Sequence, residues 1–175
     1  MSKLDKYIKK VLDGGAAIAR IIGPDKIVTA PWVRLKCRYG CGEYGKCLTC
    51  PPYSPTPDYT ANMLKHYSAA LLITYNVEPE DEDKLWRQIR EIVAEIERDM
   101  FLEDYYKAFG MGAGQCHLCE ECDVSKPCKY PHRARPSMEA CGIDVYQTVR
   151  NLGLKIEVVK SRTLPCTYCG IILIK

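Results

Sequence analysis

Cysteine is the residue that most restricts what this chain can fold into. Eleven of its 175 residues are cysteines, and eight of them fall in two short segments, around residues 37–50 and around residues 116–128. A chain of this length with 47% hydrophobic residues can bury an adequate core without cross-links. Stability alone therefore does not account for the cysteines, and we attribute them to chemistry or to the cellular compartment.

The N-terminal sequence and the net charge bear on that compartment. The first residues, MSKLDKYIKKVLDGG, lack the apolar core and cleavage site of a secretory signal, so we expect a cytoplasmic protein. In a reducing cytoplasm, an odd number of cysteines with several in close pairs predicts metal ligands or redox thiols, with disulfides as the alternative. No apolar run approaches the roughly 18–20 residues that span a bilayer, and a net charge of +3 is too small to imply a nucleic-acid partner. We expect neither a membrane nor a nucleic acid as a partner.

Hydrophobic periodicity predicts helices alternating with strands. Helices are predicted over residues 4–12, 58–67, 79–109 and 144–153, with a short helix after Pro136, and strands over residues 16–22, 28–35, 69–75, 154–159 and 168–175. Asp144 with Gln147 three residues later is a capping-box pattern, which places a helix start at Asp144. The unbroken apolar run at 69–75 is typical of a strand covered on both faces.

These elements define the expected fold class. We expect a single domain over residues 1–175, of the α/β or α+β class, with a small mixed sheet flanked by helices. The last two predicted strands are expected to pair as a hairpin. Two cysteine-rich metal-binding loops, at residues 37–57 and 110–136, interrupt the regular elements.

The second cysteine loop carries the more specific pattern. Cys116, Cys119 and Cys122 are separated by two residues each, and Cys128 follows after five more. A tight turn with this rhythm can direct three thiolates at one iron–sulfur cubane, whereas zinc knuckles supply ligands in separated pairs. The fourth gap is longer than in the bacterial ferredoxin run, so Cys141 is an alternative fourth ligand. The pattern favours a 4Fe–4S cluster over zinc or a redox thiol, and we leave His117 and His132 out of the ligand set.

The first loop offers a full set of four thiols, Cys37, Cys41, Cys47 and Cys50, followed by two prolines. Gaps of three, five and two residues suit an iron–sulfur cluster but also a structural zinc site. A further alternative is that Cys47 is not a ligand of this site. A three-cysteine cluster would then keep one iron open to a substrate, and the protein would be an enzyme.

The remaining candidates have weaker signals. Cys166 and Cys169 form a C-x-x-C pair that can bind metal with Cys141, act as a redox dithiol, or be buried as small apolar residues. Arg133 and Arg135 follow the second loop and are candidates for a substrate or anion contact, although a solvated basic loop explains them equally. No catalytic residue is predicted.

The two cysteine segments also carry a family resemblance. The sequences KCRYGCGEYGKCLTCPPYSPTP and GAGQCHLCEECDVSKPCKYPHRARPSMEACGIDV resemble the predicted metal-binding proteins of domain-of-unknown-function family 2284, found mainly in anaerobic bacteria and archaea. Cys37, Cys41 and Cys50 match the first family motif. The second family motif is matched by Cys116, Cys119, Cys122 and Cys128. The cysteines outside both motifs are Cys47, Cys141, Cys166 and Cys169. The resemblance implies metal binding and no particular reaction.

Three functions follow from the sequence. The first is a protein with one or two iron–sulfur clusters that transfers electrons or serves a redox enzyme, and this function requires a redox partner protein; the sequence has no glycine-rich nucleotide-binding motif. The second is an iron–sulfur enzyme with an open iron on a three-cysteine cluster. The third is a structural zinc-binding interaction module. The sequence predicts no oligomeric state.

Overall fold

The architecture is a four-stranded antiparallel sheet with helices on both faces. A computed structural model describes residues 3–161 and 163–175. The helices are α1 (Asp5–Asp13), α2 (Pro31–Gly40), α3 (Pro57–Leu64), α4 (Glu82–Leu102) and α5 (Val145–Arg150), and the strands are β1 (Ile18–Ile22), β2 (Ala70–Val77), β3 (Phe109–Met111) and β4 (Cys166–Leu173). Short 3₁₀ turns form at Pro24–Lys26, Pro79–Asp81 and Glu139–Cys141. The strand order is β1-β2-β4-β3, and every pairing between these strands is antiparallel.

The two central strands are apolar along their length because helices cover both faces of the sheet. On one face, Leu71, Ile73 and Ile172 pack with residues of α1 and α4. On the opposite face, Leu72 and Ile171 pack with α3, α5 and the segment 138–143. The alternation of side chains along each strand divides the core into these two layers.

Most of the predicted elements are present. The structure confirms the helix before Gly14-Gly15, the strand that ends at Ile22, the buried strand β2, the short helix α3 and the long helix α4. The cap of α5 is also confirmed, since the Asp144 carboxylate accepts a hydrogen bond from the backbone N–H of Gln147 at 2.9 Å. The fold is α+β, and the sheet is antiparallel rather than mixed. After Pro136 the short helix is the 3₁₀ turn Glu139–Cys141.

Two predicted strands are wrong. Residues 28–35 were expected to be extended, but α2 begins at Pro31, because proline suits the first position of a helix and Ala30 before it is extended. Residues 154–160 are irregular and do not form a hairpin with β4. The predicted hairpin would compete with β3, which already pairs with residues 171–173 of β4, while β2 pairs along the other edge.

The first cysteine loop is shorter than predicted, and the second is shifted by two residues and fastened at its base. The first loop starts at Cys41, because Cys37 belongs to the last turns of α2. The second starts at Gly112, whose backbone N–H donates to Pro136 at 2.9 Å and whose carbonyl accepts from Met138 at 3.1 Å. This pair of hydrogen bonds closes residues 112–138 into one loop beside α4.

The helices of the described residues include none with the length and apolarity needed to cross a membrane.

Candidate metal centre

The structure divides the eight predicted ligands between two cavities, and the division does not follow the order of the chain. One cavity, of about 430 Å³, is lined by Cys37, Cys41 and Cys50. We call these residues the three-cysteine set. The other cavity, of about 480 Å³, is lined by Cys47 together with the cysteines of the second loop. The members of this five-cysteine set are Cys47, Cys116, Cys119, Cys122 and Cys128.

Cys47 connects the two loops. Its thiolate accepts hydrogen bonds from the thiols of Cys116 and Cys50, which hold the pKa of Cys47 far below its usual range. The same hydrogen bonds raise the pKa of Cys116 and of Cys50. Cys122 also contacts Cys47, although burial is the larger reason why its pKa is raised. The sulfur of Cys47 therefore lies with the second loop, and Cys50 lies next to both sets.

Backbone N–H groups point at four sulfurs of the five-cysteine set. Tyr130 donates to the sulfur of Cys128 at 3.4 Å. Further backbone N–H donors reach Cys47 from Thr49, Cys116 from Leu118 and Cys122 from Leu48. In three of these cases the donor lies two residues after the cysteine. Such hydrogen bonds stabilise thiolates and are one of the means by which proteins adjust an iron–sulfur cluster.

Arg90 is a buried cation beside both sets, and the sequence reasoning missed it. Its side chain is only 6% exposed, and its guanidinium donates to the carbonyls of Arg135, at 2.6 Å, and Gly114. These two carbonyls belong to opposite ends of the second loop. Burial lowers the pKa of Arg90, while Cys116, Cys50 and Cys47 act to raise it. The available signal was a charge on the apolar stripe of α4, next to Ile89 and three residues before Val93.

Aromatic side chains form a wall between the two cavities. Trp86 of α4 stacks on His117 with ring centres 5.7 Å apart, and it meets Tyr168 of β4 edge-on at 5.6 Å. The Nε2 atom of His117 is buried without a hydrogen-bond partner among the described residues. Burial, followed by Arg90 and Arg87, lowers the pKa of His117, so its imidazole is neutral near pH 7.

Glu139 adds a carboxylate to the cavity of the three-cysteine set. Burial raises its pKa, although hydrogen bonds from its own backbone N–H and from Ser137 act in the opposite direction. No sequence motif marked this residue, because it is brought to the cavity by the 3₁₀ turn Glu139–Cys141.

Arg133 and Arg135 both have acidic partners on α4. Arg135 forms a two-pronged ion pair with Glu97, and both side chains are largely buried, at 14% and 12% exposure. Arg133 pairs with Glu91 at 2.9 Å, where both side chains are solvent-exposed. The contact with a substrate or anion stays a prediction for both arginines, and the observed role of Arg135 is to fasten the end of the second loop to α4.

The three cysteines outside both sets, Cys141, Cys166 and Cys169, do not form a site together. Cys166 and Cys169 are three positions apart on β4, so their side chains leave the sheet on opposite faces. In this strand they cannot act together as a dithiol or chelate one metal. Cys141 and Cys169 are buried in the apolar layer under α3 and α5, at 0% and 4% exposure. Of the three interpretations of these thiols, burial as small apolar residues fits Cys141 and Cys169.

Both donor sets consist of thiols, the ligand type that iron–sulfur clusters and structural zinc sites share. Within residues 3–161 and 163–175, no group of three or more His, Cys, Asp or Glu side chains is arranged to hold one metal ion. Cysteines line both cavities, and the buried guanidinium of Arg90 lies near Cys116, Cys50 and Cys47. All eleven cysteines are free thiols.

Comparison with known proteins gives one match. No curated protein and no solved structure is significantly similar to the chain. The model of the family described as "Predicted metal-binding protein (DUF2284)" matches residues 20–174, which include every cysteine of both sets. The chain therefore belongs to this family of predicted metal-binding proteins.

Proposed function

We propose that this protein holds two iron–sulfur clusters of the 4Fe–4S type, one on each cysteine set, and exchanges electrons with a redox partner protein. The single observation that supports the proposal most is the position of Cys47, which lies in the cavity of the second loop and brings the number of thiols there to five. The second loop supplies four ligands without Cys141, which is buried in the apolar layer beneath α3 and α5, and Cys47 adds a fifth thiol to them.

The residues of the chain have separate roles in this proposal. Cysteine thiolates would hold the irons, and the cluster when bound would supply a site for one-electron reduction. The buried guanidinium of Arg90 compensates the negative charge that thiolates and cluster bring to this part of the protein. The backbone donors from Thr49, Leu118 and Tyr130 stabilise the sulfurs in their deprotonated form.

The two sets are direct neighbours, because Cys50 of the first and Cys47 of the second lie in one turn, in which the backbone N–H of Cys50 donates to the carbonyl of Cys47 at 2.9 Å. Electrons could therefore pass between the two clusters without crossing the sheet. Eleven free thiols fit a reducing compartment, and we place the protein in the cytoplasm without a membrane or nucleic-acid partner.

Metal and sulfide analysis of anaerobically purified protein tests the proposal. We expect about eight iron atoms and about eight acid-labile sulfides per chain, a brown colour with broad absorption near roughly 400 nm, and electron paramagnetic resonance signals after reduction. Colourless protein with stoichiometric zinc would instead establish the structural zinc module.

A cysteine substitution tests the division into two sets. Cys47→Ser should leave the signal of the three-cysteine set unchanged, because Cys47 belongs to the second cavity, where four other cysteines remain. Cys166→Ser is the matched control, since Cys166 lies on β4 outside both sets and its loss should leave the iron content unchanged. Loss of the signal of the three-cysteine set in Cys47→Ser would contradict the assignment.

A further inference from the structure

The cavity of the three-cysteine set extends well beyond its thiols. Besides Cys37, Cys41 and Cys50, its lining includes residues of α2, α4, α5, β4 and the segment 137–144. The cavity of about 430 Å³ lies in the range of roughly 300–1,000 Å³ that is typical of small-molecule sites. The cavity of the five-cysteine set differs, because its walls come from the two cysteine loops themselves.

The walls of this cavity are aromatic and flat. Trp32, Trp86, Tyr44, Tyr146 and Tyr168 all line it. Aromatic side chains of this kind favour planar ligands, which can stack or meet them edge to face.

Trp86 is held firmly within that wall. His117 stacks on one side of its ring and Tyr168 meets the ring edge-on. The backbone of Gly114 lies so close that a Cβ atom there would be 3.3 Å from the ring, and its φ of +63° favours glycine. Since the ring is fixed before any ligand arrives, little ordering is needed on binding.

Three carboxyl groups line the cavity, those of Glu43, Glu139 and Asp144; Asp144 already caps α5, and we consider Glu139 as the ligand contact. The carboxyl group of Glu139 has no ion pair within the described part of the chain, although Ser137 hydrogen-bonds to it. A carboxyl group in an apolar cavity selects a ligand with a hydrogen-bonding N–H or O–H group, since an unmatched polar group costs free energy there.

We propose that this cavity binds a small planar ring compound bearing an N–H or O–H group, stacked among the aromatic rings with that group on Glu139 and another edge toward the three-cysteine set. The inference rests on the proposed function in one respect: a cluster on three cysteines has one iron without a protein ligand, and the bound compound would lie beside it. In that case the protein is an enzyme or a ligand-responsive electron carrier.

The chain supplies its own reporter for this site. It has two tryptophans, Trp32 and Trp86, and both line the cavity. Tryptophan fluorescence of the full-length, anaerobically prepared protein therefore reports on occupancy. The probes are phenol, which is planar with an O–H group, anisole, which is planar without it, and cyclohexanol, which has the O–H group without the planar ring. We expect saturable binding of phenol, and binding about tenfold weaker for each of the other two.

Two substitutions and one control variant test which residues form the binding site. Trp32→Leu should weaken phenol binding at least about fivefold, because it removes part of the wall. Tyr53→Leu is its matched control, since Tyr53 lies near the same loop with nearly the same exposure, 48% against 47%, but outside the cavity lining. Glu139→Gln should weaken the binding of phenol and leave that of anisole unchanged.

Metal analysis on the same samples separates the two proposals. Iron-loaded protein whose fluorescence and reduced-state resonance spectrum respond to phenol supports both. The cavity proposal is overturned, and the clusters stand, if iron-loaded protein binds the three probes equally. The same holds if Trp32→Leu and Tyr53→Leu weaken phenol binding to the same extent. Selective phenol binding by protein that contains zinc and no iron supports the cavity and overturns the clusters.

Discussion

The side chain of Arg90 has two roles. It brings a positive charge close to Cys116, Cys50 and Cys47, and it ties together both ends of the second loop through backbone carbonyls. A buried guanidinium without partners destabilises the folded state, and the loop carbonyls lose their hydrogen-bond donor without Arg90. The charge and its partners therefore stabilise the fold together.

Replacing Arg90 with methionine should lower the free energy of unfolding by about 2–6 kcal/mol, because two carbonyls lose their donor and each unsatisfied group costs about 1–3 kcal/mol. If a cluster lies beside it, the reduction potential should also fall, since a nearby cation favours the added electron. Denaturant unfolding and a redox titration of anaerobic protein measure the two effects.

Arg133→Met is the control for this substitution, because Arg133 makes a solvent-exposed ion pair worth less than about 1 kcal/mol. Equal losses in the two variants would show that the position of Arg90 gives it no special role.

The buried thiols of Cys141 and Cys169 make stability depend on pH. Burial raises the pKa of each to about 12, whereas an unfolded thiol titrates near about 8.5. Between these two values the unfolded chain has released protons that the folded chain still binds. Stability is therefore full below about pH 8.5 and falls as the pH rises toward 12.

We expect the free energy of unfolding to fall by up to about 1.4 kcal/mol per pH unit for each of these thiols above pH 8.5. Urea midpoints measured from pH 8 to pH 10.5 test this slope. The double variant Cys141→Ala/Cys169→Ala should show a shallower decline, and parallel curves for the two proteins would contradict the assignment.

Among the elements, the contact between α3 and the segment 137–143 positions one wall of the three-cysteine cavity. The Thr60 hydroxyl donates to the carbonyl of Cys141 at 2.7 Å, and the Ser54 hydroxyl donates to that of Ala140 at 2.6 Å. Gly142 then packs directly on Pro57, the first residue of α3. This contact is what presents Glu139 to the cavity.

Gly142→Ala should destabilise the protein by about 2–5 kcal/mol. A Cβ atom at this position would lie 2.5 Å from Pro57 Cγ and 2.9 Å from its Cα, and the φ of +78° adds backbone strain. Thermal or denaturant unfolding measures the loss. Gly153→Ala is the control, because its φ of +70° gives similar strain but no described atom lies within 4 Å of the added carbon. Similar losses in both variants would mean that strain, and not the contact with α3, determines the result.

In the whole molecule, the sheet and the cysteine loops are ordered by different forces. The sheet has two apolar layers and continuous hydrogen bonding between β2 and β4. The loops have few regular hydrogen bonds, and most of their cysteines are directed at two cavities. Metal binding is expected to order the loops more than the sheet.

Hydrogen exchange followed by mass spectrometry tests this separation. After removal of metal with a chelator, amides in residues 41–56 and 113–136 should exchange much faster, while those of β2 and β4 should stay protected. The untreated protein is the control. Equal loss of protection in the sheet would show that metal binding is coupled to folding of the whole chain.

Whether a feature can be predicted from the sequence depends on how far apart in the chain its interacting residues lie. The long helix α4 and the cap of α5 follow from local periodicity and from a side chain that bonds three residues away. The strand predicted over residues 28–35 is wrong because Pro31 opens a helix, which the apolar residues around it do not reveal. The hairpin of residues 154–159 was misjudged because the pairing of β4 is decided by β2 and β3, far away in the sequence.

The same distinction holds for the site. By itself the sequence determined that eight cysteines in two loops are candidates for metal binding, since ligand spacing within a tight turn is a local property. Only the tertiary structure decided that Cys47 joins the second loop, that Cys166 and Cys169 face opposite sides of β4, and that Arg90 lies between the two sets. The physical reason is that a metal centre is defined by distances between side chains, and between residues about 70 positions apart those distances are fixed by packing and strand register, which spacing along the chain does not record.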